Sequence, residues 1–340
     1  MAGELVLLTG GTGMVGFRTL VLLVEAGYKV RAAVRNQEGF ERILSLKPLA
    51  PYASQVESII VPDITATGAY DEAVKGVKYI LHIASPLASA SPDNNWEKHV
   101  IQPAIKGTVG MLESAHKTSG IEKIVITASV LSITTNKAMA DGAVVNEQVR
   151  FTATEGPFTN GFEAYNASKA LALQATEKFI AEKKPSFTVV NIEPTFIFGR
   201  DDTVTEAKNI AKGTNGLIIG PLLGRPHPGP MPGSSVHVDD VASLHVWALD
   251  PAVKGNQDFL AAARPAKFVW EESFEVVKKH YAKEYAEGLF KFDSVPPLVT
   301  LASNIDSSKA ENTFKFKFRS YEDQVVSVVD HYLELLGKEQ

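Results

Sequence analysis

Two hydrophobic periods alternate along this chain. Short runs rich in Val, Ile and Leu occupy residues 5–8, 28–34, 56–61, 77–83, 121–129 and 187–192. Runs of this kind predict strands buried on both faces. Between them the apolar positions fall at helical spacing, over 17–25, 100–116 and 163–183, and a shorter helix is expected around 70–74. Strand and helix in alternation predict an α/β fold built on a doubly wound parallel sheet.

After Gly199 the pattern changes. Residues 220–233 (GPLLGRPHPGPMPG) predict an irregular loop over the substrate side of the molecule. Residues 235–249 read as a short strand and a helix capped by Asp239 or Asp240. Residues 258–263 read as a strand, and 271–289 and 321–336 as amphipathic helices. The expected division is a larger domain of 1–194 with 234–264, and a smaller C-terminal substrate lobe of 195–233 with 265–340.

Composition narrows the function classes. The 340 residues are 45% hydrophobic and 21% charged, with a net charge of −5. That balance suits a globular protein and gives no electrostatic footprint for nucleic acid or an anionic membrane. There is no cysteine, which excludes disulfides, thiolate nucleophiles and cysteine metal sites, and no metal is expected. No apolar run reaches the ~18 residues that cross a bilayer. The chain enters its first strand at once, so no signal peptide and a cytoplasmic location are expected. Asn166-Ala167-Ser168 is a formal glycosylation sequon, read here as accidental.

The stretch LVLLTGGTGMVG (5–16) carries the first chemistry. A buried strand, a glycine turn and a helix start form a dinucleotide-binding unit of the Rossmann kind. Glycines permit the tight reversal and the close approach of backbone to a pyrophosphate. The helix then aims free N–H groups at the phosphates. The glycines fit GxGxxG through Gly11, Gly13 and Gly16, or GxxGxxG through Gly10, Gly13 and Gly16, and the turn alone does not choose.

The second strand ends in Arg35-Asn36-Gln37, where an NAD-selective site would place an acid for the ribose 2′-OH. A guanidinium suits a 2′-phosphate, which predicts NADP(H). Arg42 is a second phosphate candidate or a surface residue. Asp63 and Ile64, after the third strand, suit an adenine amino group and ring face; Asp63 equally suits a helix N-cap. Ala84 and Ser85 end the fourth strand, where small residues leave room for a cofactor. His82 reads as a core residue.

Tyr165 and Lys169 lie one turn apart on a predicted helix. An ammonium at that distance lowers a tyrosine pKa, and such a tyrosine can protonate a carbonyl oxygen. Ser129 ends the fifth strand, where doubly wound sheets bind ligands, and can donate to the same oxygen. Thr127 and Ser132 are rivals for the serine role, and Thr127 is also a candidate cofactor contact. Pro86, Val130, Leu131, Phe158, Phe162, Phe196 and Phe198 are candidates for an apolar substrate pocket, each of the aromatics having core packing as its plain alternative.

These motifs, with HIASP (82–86), PTFIFG (194–199) and VHVDDVA (236–242), resemble the extended or intermediate short-chain dehydrogenases/reductases. Within them the chain is similar to the branch of dihydroflavonol and cinnamoyl-CoA reductases and fungal NADPH-dependent aldehyde, ketone and methylglyoxal reductases. The resemblance runs from the start to about residue 242. It implies that Gly10, Gly13 and Gly16 hold the pyrophosphate, with Thr12, Met14 and Val15 nearby. It implies Arg35 for the 2′-phosphate, Asp63 and Ile64 for adenine, Ala84 and Ser85 along the cofactor path, and Pro194, Thr195, Phe196 and Ile197 beside the nicotinamide. Ser129, Tyr165 and Lys169 become the catalytic set, which favours the register through Gly10. Gly110 stands where many relatives have Asn, and Glu193 and Arg200 stand where other residue types are usual.

The expected activity is reduction of small-molecule aldehydes or ketones by NADPH, in a monomer or homodimer. The alternatives are a nucleotide-sugar epimerase or dehydratase that retains NAD, and a non-catalytic NADP-sensing protein. An apolar pocket disfavours the first, and an intact Tyr–Lys pair the second.

Overall fold

The computed structural model describes residues 3–85, 93–153, 156–263 and 268–338. Its backbone clusters into two compact units. The first comprises 1–135, 147–193 and 242–259, and the second 136–146, 194–241 and 260–340.

The first unit is built on the expected sheet. Its strands are β1 (Leu5–Thr9), β2 (Lys29–Val34), β3 (Val56–Ile60), β4 (Tyr79–His82), β5 (Lys123–Thr127), β6 (Thr188–Pro194) and β7 (Gln257–Ala261). They lie in the order β7-β6-β5-β4-β1-β2-β3, and the pairings from β3 through to β6 are parallel. Strand order reverses between β1 and β4, the crevice where such sheets take ligands. Val6, Leu7 and Leu8 have no solvent exposure, as a strand covered on both faces requires. Helices α1 (Met14–Glu25), α2 (Gln37–Leu44), α3 (Gln102–His116) and α4 (Gly161–Lys183) carry the crossovers. α4 starts where the Asn160 side chain accepts from the Phe162 and Glu163 N–H groups, both at 3.0 Å, which satisfies two orphan donors of its first turn.

Residues 70–74 form turns instead of the expected helix, with a single helical bond from Val74 N to Tyr70 O. Burial explains the apolar pattern there: Tyr70, Ala73 and Val74 sit in the sheet's core with Leu7, Ile80 and Ile124. Lys123 is buried at the start of β5 and donates to the carbonyls of Ala248, Asp250 and Val253. It thereby satisfies carbonyls at and beyond the C-terminal end of the helix Val238–Trp247.

The second unit has its own core, including Phe198, Trp270, Val325 and Val329, and holds helices α5 (Gly216–Leu222), α6 (Val238–Trp247, whose later residues belong to the first unit), α7 (Glu272–His280) and α8 (Tyr321–Leu335). Two expectations change. The 220–233 stretch is not wholly irregular: residues 220–222 close α5, with Pro221 in its last turn, and Met231–Pro232 pairs with Thr300–Leu301. The apolar run 217–219 starts the helix, and a proline in the last turn does not stop it. The helix expected over 271–289 breaks at Tyr281 (φ −129°, ψ 39°). Its buried ring turns inward, and its hydroxyl reaches Val326 O at 3.2 Å and Asp330 at 2.6 Å on α8.

Candidate active site

The glycine turn leaves β1 with Gly10 at φ +76°, in the left-handed region, and a Cβ there would stand 2.7 Å from Ala84 N. A Cβ on Gly16 would stand 2.0 Å from Gly10 O, so α1 starts hard against the turn. Gly13, the N-cap of α1, is different. The nearest atom to a Cβ there is 3.8 Å away, so that side is open beside the first N–H groups of the helix. A Cβ on Gly11 would make only ordinary contact with Leu8. Met14 and Val15 open α1, and Thr12 turns its carbonyl toward Arg42, which donates to it at 2.9 Å.

Thr9 ties the turn to β4. Its Oγ1 accepts from Ile83 N at 3.1 Å and Ala84 N at 3.0 Å, and it lies 3.0 Å from His82 Nδ1. Two N–H donors occupy the hydroxyl's lone pairs, so its proton goes to Nδ1. His82 is then the neutral Nε2–H tautomer. Burial, with Lys169 nearby, pushes it down to about 4, and it stays neutral as a core residue.

Ser129 follows β5 and caps the short turn Val130–Ser132, accepting from Leu131 N at 3.2 Å. That bond uses acceptor capacity and leaves the hydroxyl proton for another partner. Of its rivals, Thr127 is engaged by His245 at 2.7 Å, and the buried Ser132 hydroxyl has no hydrogen-bond partner among the described residues.

Tyr165 and Lys169 share one face of α4. Lys169 is buried, donates to Ser85 Oγ at 2.9 Å, and lies 5.5 Å from the centre of the Tyr165 ring. The expected lowering of Tyr165 is not what the structure produces. Burial raises it to about 12, while burial pushes the Lys169 amine down to about 8. Desolvation of each group outweighs the ammonium's attraction for a phenolate. Lys169, Ser85, Ala84 and His82 thus gather at the end of β4, with Thr9 and Gly10 beside them.

The other expected residues are spread along the chain's strand ends and loops. Arg35 is exposed just past β2, with Asn36 capping α2 behind it. Asp63 caps a turn, its Oδ1 accepting from Thr65 N and Oγ1 at 2.8 and 2.7 Å, which holds the carboxyl below its usual range. Ile64 lies against α3 at Gly107, where a Cβ would stand 3.2 Å from its side chain, whereas Gly110 faces open space. Val130 and Leu131 are buried. Phe158 packs with Ile101, Ala164 and Ala167, and Phe162 is 41% exposed. Pro194 closes β6, Thr195 bonds the Ala261 carbonyl, and Ile197 pairs with Val236. Phe196 stacks on Phe198, and Phe198 is fully buried core. Pro86 lies outside the described residues.

Two residues carry more than the sequence suggested. Asn166, legible only as a sequon, donates from Nδ2 to Leu131 O at 2.6 Å and Thr134 O at 3.0 Å. Glu193 has no solvent exposure, and neither carboxylate oxygen has a hydrogen-bond partner among the described residues. Among the described residues no group of His, Asp and Glu could hold a metal, and no helix is long and apolar enough to cross a membrane.

Comparison with known proteins follows the same lines. The family model described as the NAD dependent epimerase/dehydratase family matches residues 6–262. The Cercospora nicotianae protein named ketoreductase CTB6 is 36% identical, covering 100% of this chain and 98% of its own length. Aldehyde reductase 2 of Sporidiobolus salmonicolor is 29% identical over 88% of this chain and 90% of its own. The crystal structure of yeast methylglyoxal/isovaleraldehyde reductase Gre2 complexed with NADPH superposes with a TM-score of 0.84. It covers 99% of this chain and all of its own, at 23% identity.

Proposed function

Because the chain belongs to the NAD-dependent epimerase/dehydratase family of extended short-chain dehydrogenases, we propose that it is an NADPH-dependent carbonyl reductase, reducing an aldehyde or ketone to the alcohol. The observation that carries this reading is Lys169, a buried ammonium fixed to Ser85 one helical turn from Tyr165. Relatives of full length named as a ketoreductase and an aldehyde reductase support it.

The residues fit the coenzyme. The open side of Gly13 leaves a cradle that a Cβ would fill, next to the N-terminus of α1, where a pyrophosphate is stabilised. Arg35 would take the 2′-phosphate just past β2, where Arg35-Asn36-Gln37 offers no carboxylate for a 2′-OH. In this reading Asp63 and Ile64 would take the adenine, Ala84, Ser85 and Thr127 would line the cofactor path, and Pro194 to Ile197 are our assignment for the nicotinamide. Bound there, NADPH supplies the hydride.

The chain's own groups supply the proton and hold the oxygen. Tyr165, raised by burial, keeps its proton across neutral pH and gives it to the carbonyl oxygen. Ser129, its lone pair engaged by Leu131 N, donates to that oxygen and shares the charge that develops there. Lys169, charged below about 8, stabilises the tyrosinate left behind. Val130, Leu131, Phe158, Phe162 and Phe196 are our assignment for the substrate side, which favours an apolar carbonyl compound. The same reading makes it a cytosolic enzyme acting on small molecules as a monomer or homodimer.

The test is NADPH oxidation against a panel of aldehydes, α-keto esters and aryl ketones. Wild-type turnover that Tyr165→Phe abolishes is the expected result, and unchanged turnover in Tyr165→Phe would sink the mechanism. The family description favours one second reading, a nucleotide-sugar epimerase or dehydratase. Purified protein carrying tightly held NAD, and no net NADPH oxidation, would establish that instead.

A further inference from the structure

Asn166 follows Tyr165 on α4, but its side chain serves a different element. Nδ2 donates to Leu131 O at 2.6 Å and to Thr134 O at 3.0 Å. Both carbonyls lie at or just beyond the short turn Val130–Ser132, where intrahelical partners run out. The turn's internal bonds use other carbonyls. Ser132 N takes Ser129 O, and Ile133 N and Thr134 N take Val130 O. Leu131 O and Thr134 O are left for Asn166.

Leu131 is therefore gripped twice. Its N–H is held by Ser129 Oγ, and its C=O by Asn166 Nδ2. The orientation of the amide follows from the partners, because the reversed amide would set Oδ1 against two carbonyl oxygens. Side-chain length matters as much. Ala has no donor, Gln would overshoot by a methylene, and an ionised Asp offers only acceptors to two acceptors.

We propose that Asn166 is a positioning residue for the reductive site. It holds the turn that begins at Ser129 against the helix that carries Tyr165 and Lys169. The two hydroxyl donors, on separate elements, then keep one fixed relation to the carbonyl oxygen. Asn166 touches neither proton; it acts through Leu131 on Ser129. The proposal rests on the carbonyl reductase reading for its catalytic consequence, and on the hydrogen bonds alone for the clamp.

Two measurements on the full chain test it. The first is amide hydrogen exchange of wild type and Asn166→Ala, without substrate. Exchange at Leu131, Ile133 and Thr134 should quicken about tenfold or more, as loss of roughly one hydrogen bond's stabilisation implies, with the sheet unchanged. No local change would overturn the clamp, whatever the enzyme's activity. The second is a double-mutant cycle with Ser129→Ala, read as NADPH-dependent turnover. Asn166→Ala should lower kcat about tenfold when Ser129 is present and less than about twofold in Ser129→Ala, with KM for NADPH unchanged. The same factor in both backgrounds would overturn a role through Ser129. Wild type inactive on every carbonyl would overturn the function reading and with it the catalytic consequence, while hydrogen exchange alone would still decide whether the clamp exists. If Asn166→Ala does not fold, the near-isosteric Asn166→Asp replaces it. A protonated Asp donates once, and two facing carbonyl acceptors disfavour its ionised form, so its turnover relative to wild type should rise as pH falls. A pH-independent ratio would count against the proposal.

Discussion

The Lys169 ammonium donates to the Ser85 hydroxyl at 2.9 Å, so the helix bearing Tyr165 is bonded to the end of β4. This bond favours the charged amine, while burial opposes it and brings Lys169 down to about 8. Reduction should therefore lose rate as pH rises through about 8, where the charge that stabilises the tyrosinate is lost. Ser85→Ala removes an acceptor from the ammonium, and the alkaline fall in kcat should move to lower pH. A pH–rate profile of the two proteins checks this, and an unmoved alkaline limb would exclude Ser85 from setting the lysine's charge.

Lys169 also costs stability. An unfolded chain keeps this lysine protonated to its ordinary value of 10.5, and the folded one releases the proton from about 8 upward. Below about 8 both states are charged and the folded state bears the full cost of burial. The cost is relieved as pH climbs from 8 toward 10.5. Lys169→Met should abolish reduction yet raise stability at neutral pH, on the order of 3 kcal/mol for a shift from 10.5 to about 8 at about 1.4 kcal/mol per pKa unit. Thermal unfolding across pH reads it: the gap in Tm should narrow above about 8. A Met variant less stable than wild type at neutral pH would contradict the sign.

Arg35 should decide the coenzyme. It stands exposed at the end of β2, while Arg42, the other nearby guanidinium, bonds the Thr12 carbonyl. Arg35→Ala should lower kcat/KM for NADPH about tenfold to a hundredfold, the range of a charged hydrogen bond, and leave NADH nearly unaffected. Arg42→Ala should weaken both coenzymes alike, because it loosens the turn that either uses. Equal losses with both coenzymes in Arg35→Ala would remove Arg35 from the 2′-phosphate.

These residues show where the sequence was legible. Strand periods, the glycine turn and the Tyr165–Lys169 spacing are local patterns, and each maps onto an observed element. What escaped was set by partners distant in sequence. Asn166 looked like a stray sequon because its carbonyl partners lie 32 and 35 residues earlier. Tyr165 was expected to be lowered by its neighbour one turn away, but burial, which spacing does not encode, raises it instead. The break at Tyr281 is of the same kind, since amphipathic spacing continues through a residue whose hydroxyl is claimed by α8.

Glu193 gives the sharpest stability test. It lies in β6 with both oxygens buried and without a hydrogen-bond partner among the described residues. The cation that acts on it is Arg150, from the 147–150 segment. Arg150 is already bonded to Asp258 of β7 and to Glu177 of α4, the latter at 2.9 Å. Asp258 also accepts from Asn191, two residues before Glu193 on the same strand. Desolvation comes first, and the charges of Asp258, Glu147 and Glu177 outweigh Arg150, so the carboxyl is raised well above its ordinary 4.5 and stays protonated. An acid raised in the folded state contributes no penalty below about 4.5. Above that, the unfolded chain ionises and the folded one does not, so stability falls by about 1.4 kcal/mol per pH unit until the folded group titrates. Glu193→Gln keeps the shape and removes the titration. Its Tm should match wild type near about pH 4 and exceed it by a margin that grows toward neutral pH. A margin that does not change with pH would mean that Glu193 is ionised in the folded protein, with a counter-charge holding it.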